Sequence, residues 1–456
     1  MMERLEHVAR DTSATLHGDG RVIALYVDID TRRMEAPGGI FAALPGSNTD
    51  GHSFLSAVAG LGAIAAFVSR RWFEQTDSSH RPSLNYLVVE DVEDALWTLA
   101  LAVRSRFVGR AIGITGSVAK STVKNMIQAV CEAGLGTGRS TPGNWNNLLG
   151  VPLTILGVTP EDRFLNVEMG SNAHGEIARL ASLVQPEIAV ITSVKAAHLE
   201  GFGTLEGVLK EKASLGHAVG SRGAVVIPSG DEMLGRERMQ FAGKVTTVGV
   251  NPDDDVRIVE MRDGLRVQGV FECGGVRTEI KLGMPGLFNL HNAALAFGVG
   301  ILLGIPPETI AHGLANTRMP ALRMELREIH QRTLILDCYN ASPASMKSAL
   351  DVLVKLSAGG GIAMLGAMYE LGEDSDLLHQ EVAHYALDRN LTVVCVGADA
   401  QAYGQEGGES LHHVANHEAA SQWLTNHTTP GSVVLLKGSR KAAMEKVAQR
   451  YLEGVN

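Results

Sequence analysis

The segment Gly113-Ile114-Thr115-Gly116-Ser117-Val118-Ala119-Lys120-Ser121-Thr122 is the part of this chain best equipped to handle phosphate. It follows a short apolar run and opens a stretch in which Val123, Met126, Ile127 and Val130 recur at helical spacing. A strand-to-helix turn exposes backbone N–H groups, and the start of a helix favours anions. Thr115, Gly116, Ser117, Val118 and Ala119 would form the cradle, Lys120 can reach the outer phosphates of ATP, and Ser121 or Thr122 can hold Mg2+. Position 119 is alanine where such a loop normally has glycine. If the backbone there needs a positive φ, the Cβ carries a penalty of about 1–2 kcal/mol. If it is right-handed, the methyl fits; the sequence leaves both open.

The elements that must position this loop read as α/β. Ala111 to Thr115, Phe164 to Met169, Ile188 to Thr192 and Ala224 to Ile227 are β-branched apolar runs of buried-strand length, with helix-like stretches between them. This alternation implies a mainly parallel sheet covered by helices on both faces. A strand-rich insert is expected from Val245 to Leu282, and a buried helix from Ala293 to Ile305. Before this block, Arg21 to Val27 and Gly39 to Leu44 read as strands, Phe54 to Phe67 as an alanine-rich helix, and Leu96 to Arg104 as a helix leading to a junction. After it, Thr333 to Leu336, Ile362 to Leu365, Leu391 to Val396 and Val433 to Leu436 read as four central strands, with glycine or polar residues at the ends where ligands of open α/β sheets bind. The expected domains are residues 1–108, 109–316 and 317–456, and they are expected to move as hinged bodies.

A length of 456 residues suits two or three domains. The net charge of -10 argues against general nucleic-acid binding, although a local cationic cluster can still hold an anionic substrate. Cys131, Cys273, Cys338 and Cys395 are widely spaced, which suggests neither a zinc knuckle nor a disulfide scaffold. No signal-peptide core opens the chain, and the Ala293–Ile305 run is too short to span a bilayer. A cytoplasmic monomer without membrane insertion is the expectation.

Further along, Thr141-Pro142-Gly143-Asn144-Trp145-Asn146-Asn147-Leu148-Leu149-Gly150-Val151-Pro152-Leu153-Thr154 resembles the TxGNxNNxxGxPLT segment of the Mur ligase family. Other segments match in family order: Asp30-Thr31-Arg32, Glu168-Met169-Gly170-Ser171-Asn172, His198-Leu199-Glu200-Gly201-Phe202-Gly203, Asp337-Cys338-Tyr339-Asn340-Ala341-Ser342-Pro343 and Lys437-Gly438-Ser439-Arg440. The resemblance implies a three-domain architecture with a central P-loop-type ATPase domain and a Rossmann-like C-terminal domain. It implies a UDP-substrate domain first, an ATP domain second and an amino-acid or dipeptide domain third.

The same resemblance implies site roles, residue by residue. Glu168 and His198 would help Ser121 hold Mg2+, and Lys212 corresponds to a lysine that can be carbamylated and assist the metal, with Lys210 its local competitor. Lys120, Glu168, His198 and Lys212 form the implied catalytic set. Asn289 and Asn292 would lie near the adenine, with Phe288 in place of the usual histidine, and Arg323 and Asp337 would meet ATP on closure. Thr31 and Arg32 would contact the UDP end of the substrate, Lys437 the incoming amine side, and Asn144, Asn146, Asn147, Tyr339 and Asn340 are implied substrate contacts.

The implied activity is ATP-dependent joining of D-alanyl-D-alanine to UDP-N-acetylmuramoyl-tripeptide through an acyl phosphate. Departures cluster inside the motifs: Ala119, Ser193, Lys195, Pro228, Leu336, Ser342 and Ala367 each replace a usual residue. They leave two alternatives open, a ligase using another amine or acceptor and a catalytically weak nucleotide-binding paralogue. Lys195 either contacts a phosphate or carboxylate, interferes near Mg2+, or is a solvated loop lysine.

Overall fold

The structure is a computed structural model that describes residues 2–34, 36–46, 49–195, 199–318, 321–358, 360–404 and 408–454. Among the described residues, three larger sheets and one two-stranded ribbon account for the strands. The central sheet has nine strands, and Arg110–Thr115 lies between Phe164–Glu168 and Ile188–Ile191, parallel to both. Their carboxyl ends therefore bring the phosphate loop, Glu168 and the Thr192–Lys195 turn to one edge, where α/β sheets bind ligands.

The region expected as an insert is strand-rich, but it extends the central sheet. Lys244–Gly249 and Val256–Arg262 continue the parallel run, and Gln268–Cys273 and Val276–Lys281 close the edge as antiparallel strands. Helix Phe288–Leu302 has apolar side chains nearly all round and sits buried on this sheet.

The first sheet has five strands, ordered Thr15–His17, Asn85–Val89, Ala65–Ser69, Gly39–Ala42 and Tyr26–Asp28. Here the structure corrects two expectations. The helix expected from Phe54 to Phe67 is only Leu55–Gly60, and Ala65–Ser69 is a strand. Gly62, at φ 93°, turns the chain between them, and the apolar run that follows fits a buried strand better than a helical face. The run Arg21 to Val27 divides between sheets, with Ile23–Ala24 in the ribbon and Tyr26–Asp28 in the five-stranded sheet.

The first and central sheets share one apolar core that runs from Leu5 through Leu99 and Ile177 to Ile227. Helix Val92–Arg106 forms the joint. Buried Arg104 donates to Val184 O at 2.6 Å and Gln185 O at 2.9 Å, satisfying the end of helix Glu176–Val184.

The third sheet has six strands, with Glu325–Ile329 antiparallel at one edge and Arg332–Asp337, Val433–Lys437, Ile362–Leu365, Thr392–Val396 and Leu411–Val414 parallel. Its two faces have separate apolar clusters. Partly buried Phe288 from the central body packs against one of them.

Candidate active site

The phosphate loop is built against the turn beside it. Ser117 N donates to Ser193 O at 3.0 Å and Val118 N to Ser193 Oγ at 3.2 Å. Ser117 Oγ donates to Lys195 O and accepts from Lys195 N, each at 2.9 Å. Gly116 has φ 143°, and a Cβ there would fall 2.1 Å from Thr192 Oγ1, so the close approach requires glycine. Thr115 is fully buried and its hydroxyl donates to Met169 O.

Ala119 resolves the open question about its backbone. It takes φ 65° and ψ 1°, the left-handed conformation, immediately before helix Lys120–Leu135. The first-turn N–H groups of that helix lack intrahelical acceptors, which makes an anion site. Lys120 Nζ folds back onto Gly116 O at 2.7 Å. Burial pushes its ammonium below the usual lysine range, with Glu168 opposing and Arg323 reinforcing the shift. An anion in the cradle would relieve that cost.

Beside the loop, Glu168 is 2% exposed. Its Oε1 accepts from Asn146 Nδ2 at 2.9 Å, while its buried Oε2 has no hydrogen-bond partner. Lys124 Nζ lies 4.0 Å from that oxygen and is held by Thr141 O at 2.7 Å. An orphaned buried carboxylate oxygen at the end of the strand that pairs with the one leading into the phosphate loop suits a hard cation with oxygen ligands, so the residues present fit Mg2+. His198, the other implied ligand, lies outside the described residues.

Lys212 is buried, and its Nζ donates to Ser171 Oγ at 2.7 Å. Burial lowers its pKa to about 7, Lys120 adds to the shift, and Glu211 and Glu176 oppose it. Lys210, its competitor, is exposed on the outer side of helix Leu205–Ala218.

The third body reaches into the same region. Arg323 Nη2 lies 3.2 Å from Ser121 Oγ, and its guanidinium stacks 4.2 Å from the Tyr339 ring centre. Asp337 accepts from Met324 N and pairs with the buried Lys437 ammonium, which also donates to Asn340 O. Asn340 uses its own side-chain oxygen on Ala341 N. A cleft of about 600 Å³ opens here, with Ser121, Lys124, Arg139, Arg323, Tyr339 and Arg440 among its lining residues. Buried Asn289 donates to Pro285 O and accepts from Asn292, so the two asparagines brace one turn.

The remaining substrate candidates lie farther apart. Thr31 and Arg32 share a 3-10 turn, and exposed Arg32 pairs with Asp30 at 2.7 Å. Asn144 is exposed, and Asn147 Oδ1 accepts from Gly150 N at 2.8 Å, just before helix Gly150–Leu156. Reading the sequence missed Lys124, Arg33 and Trp145.

The motif departures have separate physical accounts. Leu336 is buried in the third body's core, so leucine there fills apolar space. Ser342 opens helix Pro343–Leu356, with its N–H held by Ser345 Oγ at 2.9 Å. Ala367 is buried, and its carbonyl accepts from Ser439 N. Lys195 is exposed, with its ammonium 3.7 Å from Asp231 Oδ2. Pro228 ends strand Ala224–Pro228; nothing in the structure explains its choice.

Comparison with known proteins adds independent findings. The family described as Mur ligase middle domain matches residues 114–300, and the family described as Mur ligase, glutamate ligase domain, matches residues 322–440. UDP-N-acetylmuramoyl-tripeptide--D-alanyl-D-alanine ligase of Escherichia coli strain K12 is 33% identical over 439 residues, covering 94% of this chain and 93% of that enzyme. The crystal structure of MurF from Acinetobacter baumannii superposes with a TM-score of 0.88 at 26% identity, covering 99% of each chain. MurF ligase from Thermotoga maritima, solved in complex with ADP, superposes with a TM-score of 0.82 at 26% identity, covering 94% of this chain and 98% of that one.

Proposed function

This chain belongs to the Mur ligase family, and we propose that it joins D-alanyl-D-alanine to UDP-N-acetylmuramoyl-tripeptide at the expense of ATP. The observation that carries this reading is the buried Glu168 carboxylate, which keeps one oxygen without a hydrogen-bond partner beside the phosphate loop. Near-full-length similarity to a ligase of that activity supports it.

The reaction asks distinct things of these residues. The substrate's terminal carboxylate attacks the γ-phosphorus, ADP leaves, and an acyl phosphate forms. The dipeptide's free amine attacks the acyl carbon, loses a proton, and expels inorganic phosphate. Lys120 would exchange its Gly116 contact for the outer phosphates, and the first-turn amides would hold the adjoining oxygens. Ser121, Glu168 and His198 would hold Mg2+, which when bound would neutralise phosphate charge. Arg323 would keep the third body against the nucleotide, and closure would exclude water that competes with the amine.

In this reading residues 1–108 hold the UDP end, with Thr31 and Arg32 in contact with it. Residues 109–316 hold ATP, with Asn289 and Asn292 near the adenine. Residues 317–456 hold the dipeptide, with Tyr339, Asn340 and Lys437 beside it. The enzyme acts as a cytoplasmic monomer. Among the described residues no helix is long and apolar enough to cross a membrane. A second reading, a catalytically weak nucleotide-binding paralogue, draws on left-handed Ala119.

Phosphate release with ATP, Mg2+ and both substrates, with mass detection of the product, tests the proposal. Release that requires both substrates and yields the UDP-pentapeptide is expected. Folded protein that binds ATP without making product would favour the second reading.

A further inference from the structure

The 3-10 turn Thr31–Arg33 carries a residue the activity does not yet use. Arg33 grips Asp28 with two nitrogens, Nη2 at 2.7 Å and Nε at 3.1 Å. Asp28 is itself 9% exposed and accepts from Ile29 N and Asp30 N, so the fork is anchored to the first sheet. The other side of the guanidinium covers Trp145, 4.0 Å from its ring centre, in the asparagine-rich loop of the central body. A cation over an indole face is attracted by the ring quadrupole, and the planar guanidinium also stacks.

Trp145 precedes Asn146. The Asn146 carbonyl accepts from Gly170 N at 2.8 Å, and its side chain donates to Glu168 Oε1 at 2.9 Å. Gly150 packs so close to the Trp145 backbone that a Cβ there would fall 2.5 Å from it, which leaves the loop little room to shift. A continuous set of contacts therefore runs from Asp28 through Arg33 and Trp145 to the carboxylate with the unpartnered oxygen.

We propose that Arg33 and Trp145 are positioning residues that hold Asn146, and through it Glu168, in the orientation that receives Mg2+ with the nucleotide. This rests on the metal role proposed above for Glu168. The turn that carries Arg33 also carries Thr31 and Arg32, the residues proposed to hold the UDP end, so the first body's substrate turn and the metal carboxylate share one mechanical link.

Calorimetric titration of ADP with and without Mg2+ tests the link without turnover. Arg33→Ala and Trp145→Ala are each expected to cut the tightening of ADP by Mg2+ about five- to tenfold, with metal-free ADP affinity unchanged. The double variant should lose no more than either single one, because the residues act in series. A folded Arg33→Ala protein that keeps the full Mg2+ effect would overturn the proposal, as would additive losses or a parent protein without Mg2+ tightening. If Arg33→Ala does not fold, Arg33→Lys retains the charge without the fork and planar stack, and it should lose most of the effect as well. Interdomain glue alone would lower the melting temperature and leave the Mg2+ effect intact. Absence of ligase product would count against the functional reading and leave the ADP titration to decide this one.

Discussion

Lys437 Nζ lies 2.5 Å from Asp337 Oδ2, and the two residues are register partners at the ends of adjacent parallel strands in the third sheet. The lysine side chain is 2% exposed and the aspartate 16%, so neither charge has enough water to stand alone. Lys437→Met is expected to cost about 3 kcal/mol, since it strands a largely buried carboxylate. Urea unfolding measures the loss. A change within experimental error would mean that solvent reaches Asp337 freely.

Ala119 occupies a left-handed position that glycine adopts without a Cβ penalty. Ala119→Gly should stabilise the loop by about 1 kcal/mol and tighten ATP several-fold. Ala119→Val should do the opposite, because β-branching worsens the same strain. Paired melting curves and ATP titrations check both directions. Weaker ATP binding by the glycine variant would show that the strain itself preorganises the cradle.

Lys212 titrates near pH 7 because burial disfavours its ammonium. Its unfolded value is about 10.4, so between these values the unfolded chain carries a proton that the folded chain lacks. This residue's contribution to stability therefore rises with pH across that window, and its full charge-burial penalty applies below pH 7. Lys212→Met lacks the penalty, so its stability relative to the parent should be highest in acid and decline from pH 7 upward. Urea midpoints from pH 6 to 9 read this. A pH-independent difference would place the titration elsewhere. The carbamylation implied by the family resemblance joins the neutral Lys212 amine to CO2 and releases a proton, so added bicarbonate, the source of CO2, should raise activity more at pH 8 than at pH 6.5.

Arg323 joins the third body to the phosphate loop through Ser121 and stacks on Tyr339. Arg323→Lys keeps the charge and loses both the fork and the stack, so ATP affinity should fall about tenfold. Titration with a non-hydrolysable ATP analogue is the check. Unchanged affinity would make the contact a feature of the ligand-free arrangement only.

Some of this was readable in the chain because the necessary groups are contiguous. The phosphate loop runs strand, turn, helix within one short segment, and apolar runs of strand length mark the central sheet. Phe54 to Phe67 misled because alanine and apolar residues suit either a helix or a buried strand, and only Gly62's backbone and the pairing of Ala65–Ser69 separate them. Lys124 was missed because its helical position reads as an ordinary solvent-facing cation, whereas packing turns it toward Thr141 and Glu168.

By itself, the sequence determined which chemistry could be assembled: an anion-binding helix start, a lysine to reach phosphate, and acidic, hydroxyl and amide groups in family order. Tertiary structure alone decided that Ala119 is left-handed, that one Glu168 oxygen is unpartnered and that Arg33 stacks on Trp145. Those outcomes depend on burial and on contacts between residues distant in sequence. Such contacts are set by how sheets and helices close on one another, and local residue order does not encode them separately.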